Sequence, residues 1–179
     1  LAAAARRGIL IKGGTYLEDA RKLKAIALDK TGTVTEGKPR LVASDVLIDR
    51  LAEQHAYVIA KSLAAQSDHP VSKAIAAGLN ESAQPVDTFS AIAGRGVKGS
   101  IADTSYWFGN HRLIEEIGRC TPALEARLTH HESLGRTVTL LANKDEVIAL
   151  FAVADTIKPS SHSAVAELKA LGITAVMLT

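Results

Sequence analysis

The chain has 179 residues, 47% of them hydrophobic and 22% charged, with a formal net charge of +2. That is a globular composition, not a disordered one, and it carries no charge bias toward nucleic acid or a membrane surface. The single Cys120 excludes an intrachain disulfide and a cysteine-cluster metal site, and fits a reducing compartment. No apolar run approaches the roughly 18 to 20 residues that span a bilayer, and no signal peptide is visible. Aromatics make up only 4%, so Ala, Val, Ile and Leu must build the core.

Taken in order, "LAAAARRGILIKGG" enters mid-pattern and reads as a short Ala-rich helix followed by a strand, "ILIK" (9–12). A helix through "YLEDARKL" (16–23) leads to the apolar run "AIALD" (25–29). After Pro39, "PRLVASDVLI" reads as extended. Residues 49–65 put Leu51, His55, Val58, Ile59 and Leu63 on one face at helical spacing. A second helix begins at "HPVSKAIAAGLN", with Pro70 in its first turn, where the missing N–H costs nothing. Extended runs follow at "PVDTFSAIA", "GVKGSIA" and "TSYWFG", then short helices over 110–118 and 121–134. "TVTLLAN" and "VIALFAVAD" form a hairpin across Lys144-Asp145. A helix from Pro159 to Leu171 precedes the strand "TAVML", on which the sequence stops. Both ends read as cuts in a longer protein.

The grouping implies an insertion. Residues 1–38 and 153–179 alternate strand and helix, as a parallel sheet requires. Residues 39–152 read as a mostly antiparallel α+β module threaded into it.

Two phosphate motifs overlap in "LDKTGTVTEGKP" (28–39). From Gly32 to Lys38 the chain reads G-x-x-x-x-G-K, but Pro39 stands where a P-loop needs a Mg²⁺-binding Ser or Thr. A P-loop must also open a helix, and "RLVASDVLI" is β-like. The other reading places Asp29 at the end of an apolar strand, the position where open α/β sheets put chemistry. A carboxylate there can attack a phosphoryl group and form an acyl phosphate. Gly32 allows close backbone approach, while Thr31 and Thr33 offer hydroxyls and amides. The plainer reading is a turn with Asp29 as a cap. "GRGVKG" (94–99) fits G-x-G-x-x-G, but extended sequence follows it, not the helix a dinucleotide fingerprint opens. His130-His131 are adjacent on a helix and diverge by about 100°, so they read as solvated surface. Trp107 reads as core or sheet edge.

"DKTGTVTEGKP" resembles the phosphorylation loop of the P-type ATPases, within the haloacid-dehalogenase-like superfamily. "ARRGILIKGGTYLE" resembles the segment leading from membrane to phosphorylation domain in heavy-metal-transporting members. "SDHP" (67–70) is similar to their S-E-H-P, "GRGV" (94–97) to their G-x-G-V turn, and "GN" (109–110) to their Gly-Asn pair. "DTIKP" (155–159) resembles their hinge and "VMLT" the start of their T-G-D motif. The resemblance covers essentially the whole chain.

It implies an α/β fold: a truncated Rossmann-like phosphorylation domain (1–38 and 153–179) with an inserted α+β nucleotide-binding domain on an antiparallel sheet (39–152). It implies the ATP-binding region of a membrane pump exporting transition-metal ions, with zinc, cadmium or cobalt favoured over copper. ATP would phosphorylate Asp29, with Mg²⁺ held by Asp29 and the backbone carbonyl of Thr31, and with Thr179 donating to the phosphoryl oxygens. His69 would orient the adenine, Gly94, Gly96 and Gly109 would let backbone pass beside the nucleotide, and Asn110 would contact it. Superfamily phosphatases carry an Asp acid–base where this chain has Thr31, so the aspartyl phosphate should persist. The family Glu near the adenine is Ala64 here, and the Glu of the His motif is Asp68. The transported ion would bind in membrane helices absent from the sequence. The piece itself would be a cytoplasmic, monomeric part without nucleic-acid partners, binding nucleotide but turning it over poorly. The alternatives are a soluble haloacid-dehalogenase-like phosphatase and a non-catalytic nucleotide-binding module.

Overall fold

The computed structural model describes residues 1–48 and 52–178. The chain divides into two compact units, Leu1–Gly37 with Ile157–Thr179, and Lys38–Thr156.

In the first unit, α1 (Ala2–Ala5) and α2 (Gly14–Asp19) precede β1 (Ala25–Asp29), and α7 (Pro159–Ala170) leads into β8 (Thr174–Leu178). β1 and β8 pair in parallel, with Ala25 opposite Thr174 and Asp29 opposite Leu178. The apolar runs of these strands have the composition of strands covered on both faces. Here Val176, Met177 and Leu178 are about half exposed. Pro159 opens α7 at its first position, where proline lacks only an N–H that had no partner anyway. The expected strand at 9–12 does not form. Leu10 is 93% exposed and the segment has no sheet partner; apolar content without a neighbour to pair with is not enough to make a strand.

The second unit holds the core. Among the described residues, every buried hydrophobic side chain lies between Ala56 and Val153. Six strands run in the order β2-β7-β6-β5-β4-β3. They are β2 (Thr35–Val46), β3 (Thr88–Ile92), β4 (Gly96–Ile101), β5 (Thr104–Gly109), β6 (Thr137–Ala142) and β7 (Val147–Ile157). The pairs from β3 to β7 are antiparallel. α3 (Glu53–Ala65) and α4 (Pro70–Gly78) contribute Ile59, Leu63 and Ile75 to one cluster, with Val97, Phe108, Leu141, Phe151 and Val153 from the strands. α5 (His111–Glu116) and α6 (Pro122–Ser133) contribute Ile114, Leu124 and Leu128 to a second, with Leu140, Leu150 and Ala152.

Two clusters drawn from opposite sides of one sheet explain the unbroken apolar run of β7. Both of its faces are covered, so alternation has no reason to show. Leu150 and Ala152 enter one cluster, Phe151 and Val153 the other. The alternation slips once, at Ile148 and Ala149, which both join the first cluster. The ladder there jumps from Leu141–Ala149 to Ala142–Val147, a bulge that takes up one residue. Phe151 sits in edge-to-face contact with both Phe108 and Tyr57, each at 5.9 Å between ring centroids.

Three further details differ from expectation. β7 runs unbroken to Ile157, so the chain returns to the first unit there and not at 153. On α3 the buried positions are Ala56, Ile59, Ala60, Ser62, Leu63 and Ala64; His55 is exposed, and Leu51 lies outside the described residues. His131 is buried, not solvated. It faces inward from α6, and its Nδ1 is 3.3 Å from the Arg136 guanidinium. His130 remains exposed.

Trp107 is the chain's single tryptophan and lies on β5, so its fluorescence reports the second unit. Phe151→Ala should lower that unit's stability by about 3–5 kcal/mol, because the fully buried site cannot close around the void. Urea titration followed by Trp107 emission measures it. Burial, then the neighbouring Arg136 and His130 charges, hold the His131 pKa below its usual value. The unfolded chain therefore binds this proton more readily than the folded one. The contribution is intact above the ordinary histidine range and is lost as pH falls through it. The urea midpoint should drop between neutral and mildly acid pH, and His131→Gln should flatten that dependence.

Candidate functional site

The expected phosphorylation site is built on the end of β1. Asp29 is the strand's last residue, extended at φ −66° and ψ 141°, and exposed. The chain then turns: Thr31 has φ −76° and ψ 121°, Gly32 φ 76° and ψ −14°. These are type II turn angles, and the positive φ is why glycine stands at 32.

Two side chains hold the turn. Thr35, 1% exposed, donates its hydroxyl to the Lys30 carbonyl at 3.0 Å and accepts from the Gly32 N–H at 3.2 Å. Lys158 donates its ammonium to the carbonyls of Gly32 (2.6 Å) and Thr33 (3.2 Å), and its own N–H to Val34 at 3.0 Å. Thr31 and Thr33 stay exposed beside Asp29. Sequence reasoning passed over Thr35 and Lys158. The only signals were a Thr two residues into an exposed-looking run and a Lys inside the "DTIKP" hinge.

The G-x-x-x-x-G spacing has a structural cause. A Cβ on Gly37, itself at φ +69°, would stand 3.1 Å from the Gly32 Cα, so the two glycines make room for each other. Lys38 and Pro39 continue in β2, not in a helix, which disposes of the P-loop geometry. The oxygen-only donors at the tip, the Asp29 carboxylate and turn carbonyls such as that of Thr31, suit a hard cation of the Mg²⁺ type. Leu178 pairs opposite Asp29; Thr179 lies outside the described residues.

In the second unit the expected nucleotide residues fall into one cluster and one outlier. The β3–β4 turn closes by a 3.0 Å bond from the Arg95 N–H to the Ile92 carbonyl, with Gly94 at φ +68°. Asn110 ties that turn to α5. Its Nδ2 donates to the Gly94 carbonyl (3.0 Å), its backbone N–H to the Arg95 carbonyl (2.8 Å), and its Oδ1 accepts from the Leu113 N–H (3.1 Å). Asn110 is thus the α5 N-cap and a strut at once. Gly96 and Gly109 pair across the ladder. A Cβ on Gly96 would lie 2.3 Å from the Phe108 carbonyl oxygen, and one on Gly109 2.3 Å from that of Arg95. Arg95, which sequence reasoning also missed, pairs with Glu116 at 2.7 Å.

His69 belongs to a different element. It is the N-cap of α4, its Nδ1 accepting from the Val71 N–H at 3.3 Å, with an exposed ring. Asp68 pairs with Lys73 at 2.9 Å, a bond that lowers its carboxyl pKa. Ala64 is fully buried in the first cluster and presents no polar group. Trp107 lies under the Lys98 ammonium at 4.9 Å.

A family model of haloacid dehalogenase-like hydrolases matches residues 23–179. A probable cadmium-transporting ATPase of Alkalihalophilus pseudofirmus is 37% identical over 184 residues, spanning 98% of this chain and 25% of that protein. A copper-exporting P-type ATPase of Bacillus subtilis is 39% identical over 179 residues, spanning 98% and 22%. The crystal structure of a zinc-transporting PIB-type ATPase in its E2.Pi state matches with a TM-score of 0.88 and 31% identity, over 100% of this chain and 29% of that one. The chain belongs to the haloacid dehalogenase-like hydrolases. Its relatives within them are heavy-metal P-type ATPases, and it spans about a quarter of the length of the curated relatives it matches.

Thr35→Val removes the hydroxyl and leaves the Lys30 carbonyl and Gly32 N–H unpaired, at a local cost of about 1–3 kcal/mol. Hydrogen exchange at the Gly32 amide should quicken about tenfold or more, with β4–β7 amides of the second unit unchanged.

Proposed function

We propose that this chain is the ATP-binding and phosphorylation region of a membrane pump that exports a transition-metal ion, with Asp29 as the phosphorylated residue. The observation that carries the reading is the exposed Asp29 carboxylate at the tip of a parallel strand, followed by a turn whose carbonyls are held by Thr35 and Lys158. The attacking group is thereby separated from the groups that shape its loop.

One Asp29 oxygen attacks the γ-phosphorus of ATP in line. The bond from that phosphorus to the β,γ-bridging oxygen breaks, and ADP leaves with the electron pair. Thr31 and Thr33 direct hydroxyls and amides toward the transferred oxygens, and Thr179 donates to them from the end of the sequence. Asp29 and the Thr31 carbonyl would hold Mg²⁺, which when bound would neutralise charge on the transferring group. Thr31 cannot take a proton from water, so Asp29 keeps its phosphoryl group long enough to drive a conformational step. In the Lys38–Thr156 unit, His69 orients the adenine. Gly94, Gly96 and Gly109 let the nucleotide approach backbone, and Asn110 contacts it with the amide proton its Gly94 bond leaves over.

The cadmium- and zinc-transporting relatives support zinc or cadmium as cargo, held in membrane helices, with cobalt resting on the sequence resemblance alone; the copper exporters among the relatives support copper as the second reading. No described helix is long and apolar enough to cross a membrane. The pump reading puts this region on the cytoplasmic side, where ATP is.

Two experiments test the proposal. In the pump that carries this sequence, labelled γ-phosphate should appear as an acid-stable, hydroxylamine-labile adduct and vanish with Asp29→Asn. Label surviving in that variant sinks the assignment. For the 179-residue chain alone, titration should show ATP binding that Asp29→Asn leaves intact and His69→Ala weakens roughly three- to tenfold, with little turnover. Ala64 supplies no hydrogen bond to the base, so GTP should bind within about tenfold of ATP.

A further inference from the structure

One cluster plays no part in that reaction. His111 is the first residue of α5, Cys120 lies in the α5–α6 connection, and Glu125 sits in the first turn of α6. Their donor atoms converge. The His111 Nε2 is 2.8 Å from the Glu125 Oε1 and 3.2 Å from the Cys120 Sγ, and that sulfur is 2.9 Å from the same Glu125 oxygen. Glu115, one turn after His111 on α5, brings its Oε1 to 3.8 Å from Nε2.

The backbone that presents these groups is fixed from several sides. Asn110 caps α5 and Thr121 caps α6, each accepting an N–H three residues on. The connection is bonded back to α5 by the Gly118 and Arg119 N–H groups, to the Glu115 and Ile114 carbonyls.

We propose that His111, Cys120 and Glu125 form a binding site for a borderline-soft divalent ion of the zinc and cadmium class, separate from the Asp29 tip. Imidazole, thiolate and carboxylate are the three side-chain ligands zinc takes, and this mixture disfavours Mg²⁺ and Ca²⁺, which want oxygen alone. In a tetrahedral site the donors stand about 3.2–3.7 Å apart. The three atoms here need open by only about half an ångström. Coordination breaks the S–H bond, forms the sulfur–metal bond and releases that proton to solvent, while the imidazole binds neutral. Glu115 or a water takes the fourth position. A cavity of about 480 Å³, lined in part by Gly118, Arg119, Cys120, Thr121, Asp145 and Glu146, borders the cluster on the Cys120 side.

The rival role for this chain's single cysteine is nucleophilic, and the surroundings oppose it. Burial, then the Glu125 carboxylate, push the Cys120 thiol up to about 11. The same carboxylate that resists a lone thiolate attracts a divalent cation. An ordinary hydrogen-bonded His–Glu pair is the remaining alternative, and a metal titration separates the two.

Cobalt(II) is the probe, because a cobalt–thiolate bond gives a charge-transfer band and tetrahedral cobalt gives intense d–d bands. Titration of the 179-residue chain should yield one equivalent with both signatures, displaced by one equivalent of Zn²⁺. Cys120→Ser should abolish the charge-transfer band, while His111→Ala and Glu125→Gln should each weaken Zn²⁺ binding about tenfold or more. Unchanged Trp107 emission in Cys120→Ser and Glu125→Gln shows that the second unit is folded. Absence of a charge-transfer band at one equivalent overturns the proposal. So does Zn²⁺ binding that survives all three substitutions, which would put the ion elsewhere. Neither result touches the phosphorylation of Asp29.

Discussion

A buried hydroxyl governs the chemistry of the first unit. Thr35 is 1% exposed and serves both ends of one turn, accepting from the Gly32 N–H and donating to the Lys30 carbonyl. A hydroxyl can do both at once, and a methyl of equal size can do neither. With the ammonium of Lys158 on the Gly32 and Thr33 carbonyls, the groups that shape the turn have partners before any ligand arrives, and those of Thr31 are left to a ligand. Asp29 precedes this braced turn and remains exposed. An attacking group must be held in aim without being consumed by its own support, and this arrangement separates the two tasks.

The second unit solves a different problem. A six-stranded sheet with helices contributing to a cluster on each face needs a strand that is apolar along its covered length, and β7 is such a strand from Val147 to Val153. A strictly two-sided strand must keep its alternation in step with both clusters. The bulge at Ile148 is where it falls out of step, and the extra residue is absorbed into the larger cluster. At the other end of the sheet, Gly96 and Gly109 let two backbones approach more closely than any side chain permits. The glycine turn and the α5 N-terminus thereby become one piece, bonded through Asn110.

The order and type of most elements could be read from the residues, because long periodic runs and turn residues carry that information locally. The position of Asp29 at a strand end was legible for the same reason. What was not legible depended on distant partners. "ILIK" looks like a strand but finds no neighbour. His131 looks like half of a solvated pair until α6 turns it toward Arg136. Thr35 and Lys158 are unremarkable by type and spacing. They matter because they lie 123 residues apart in sequence and act on the same turn. Likewise, nothing in the spacing of His111, Cys120 and Glu125 indicates that three donor atoms meet.

The expected nucleotide residues are held by two different kinds of constraint. Gly96, Gly109 and Asn110 are each fully accounted for by structure alone: two by the impossibility of a Cβ, one by a cap and a strut. A substitution at any of them would disturb the β4–β5 ladder or loosen α5, so weakened ligand binding in such a variant is no measure of direct contact. His69 is different. Its cap bond uses Nδ1 through a single 3.3 Å contact, its ring is exposed, and proline at the next position starts the helix without help from it. Loss of binding at His69 therefore bears on nucleotide contact directly, whereas loss at the glycines bears first on the frame that would hold the nucleotide.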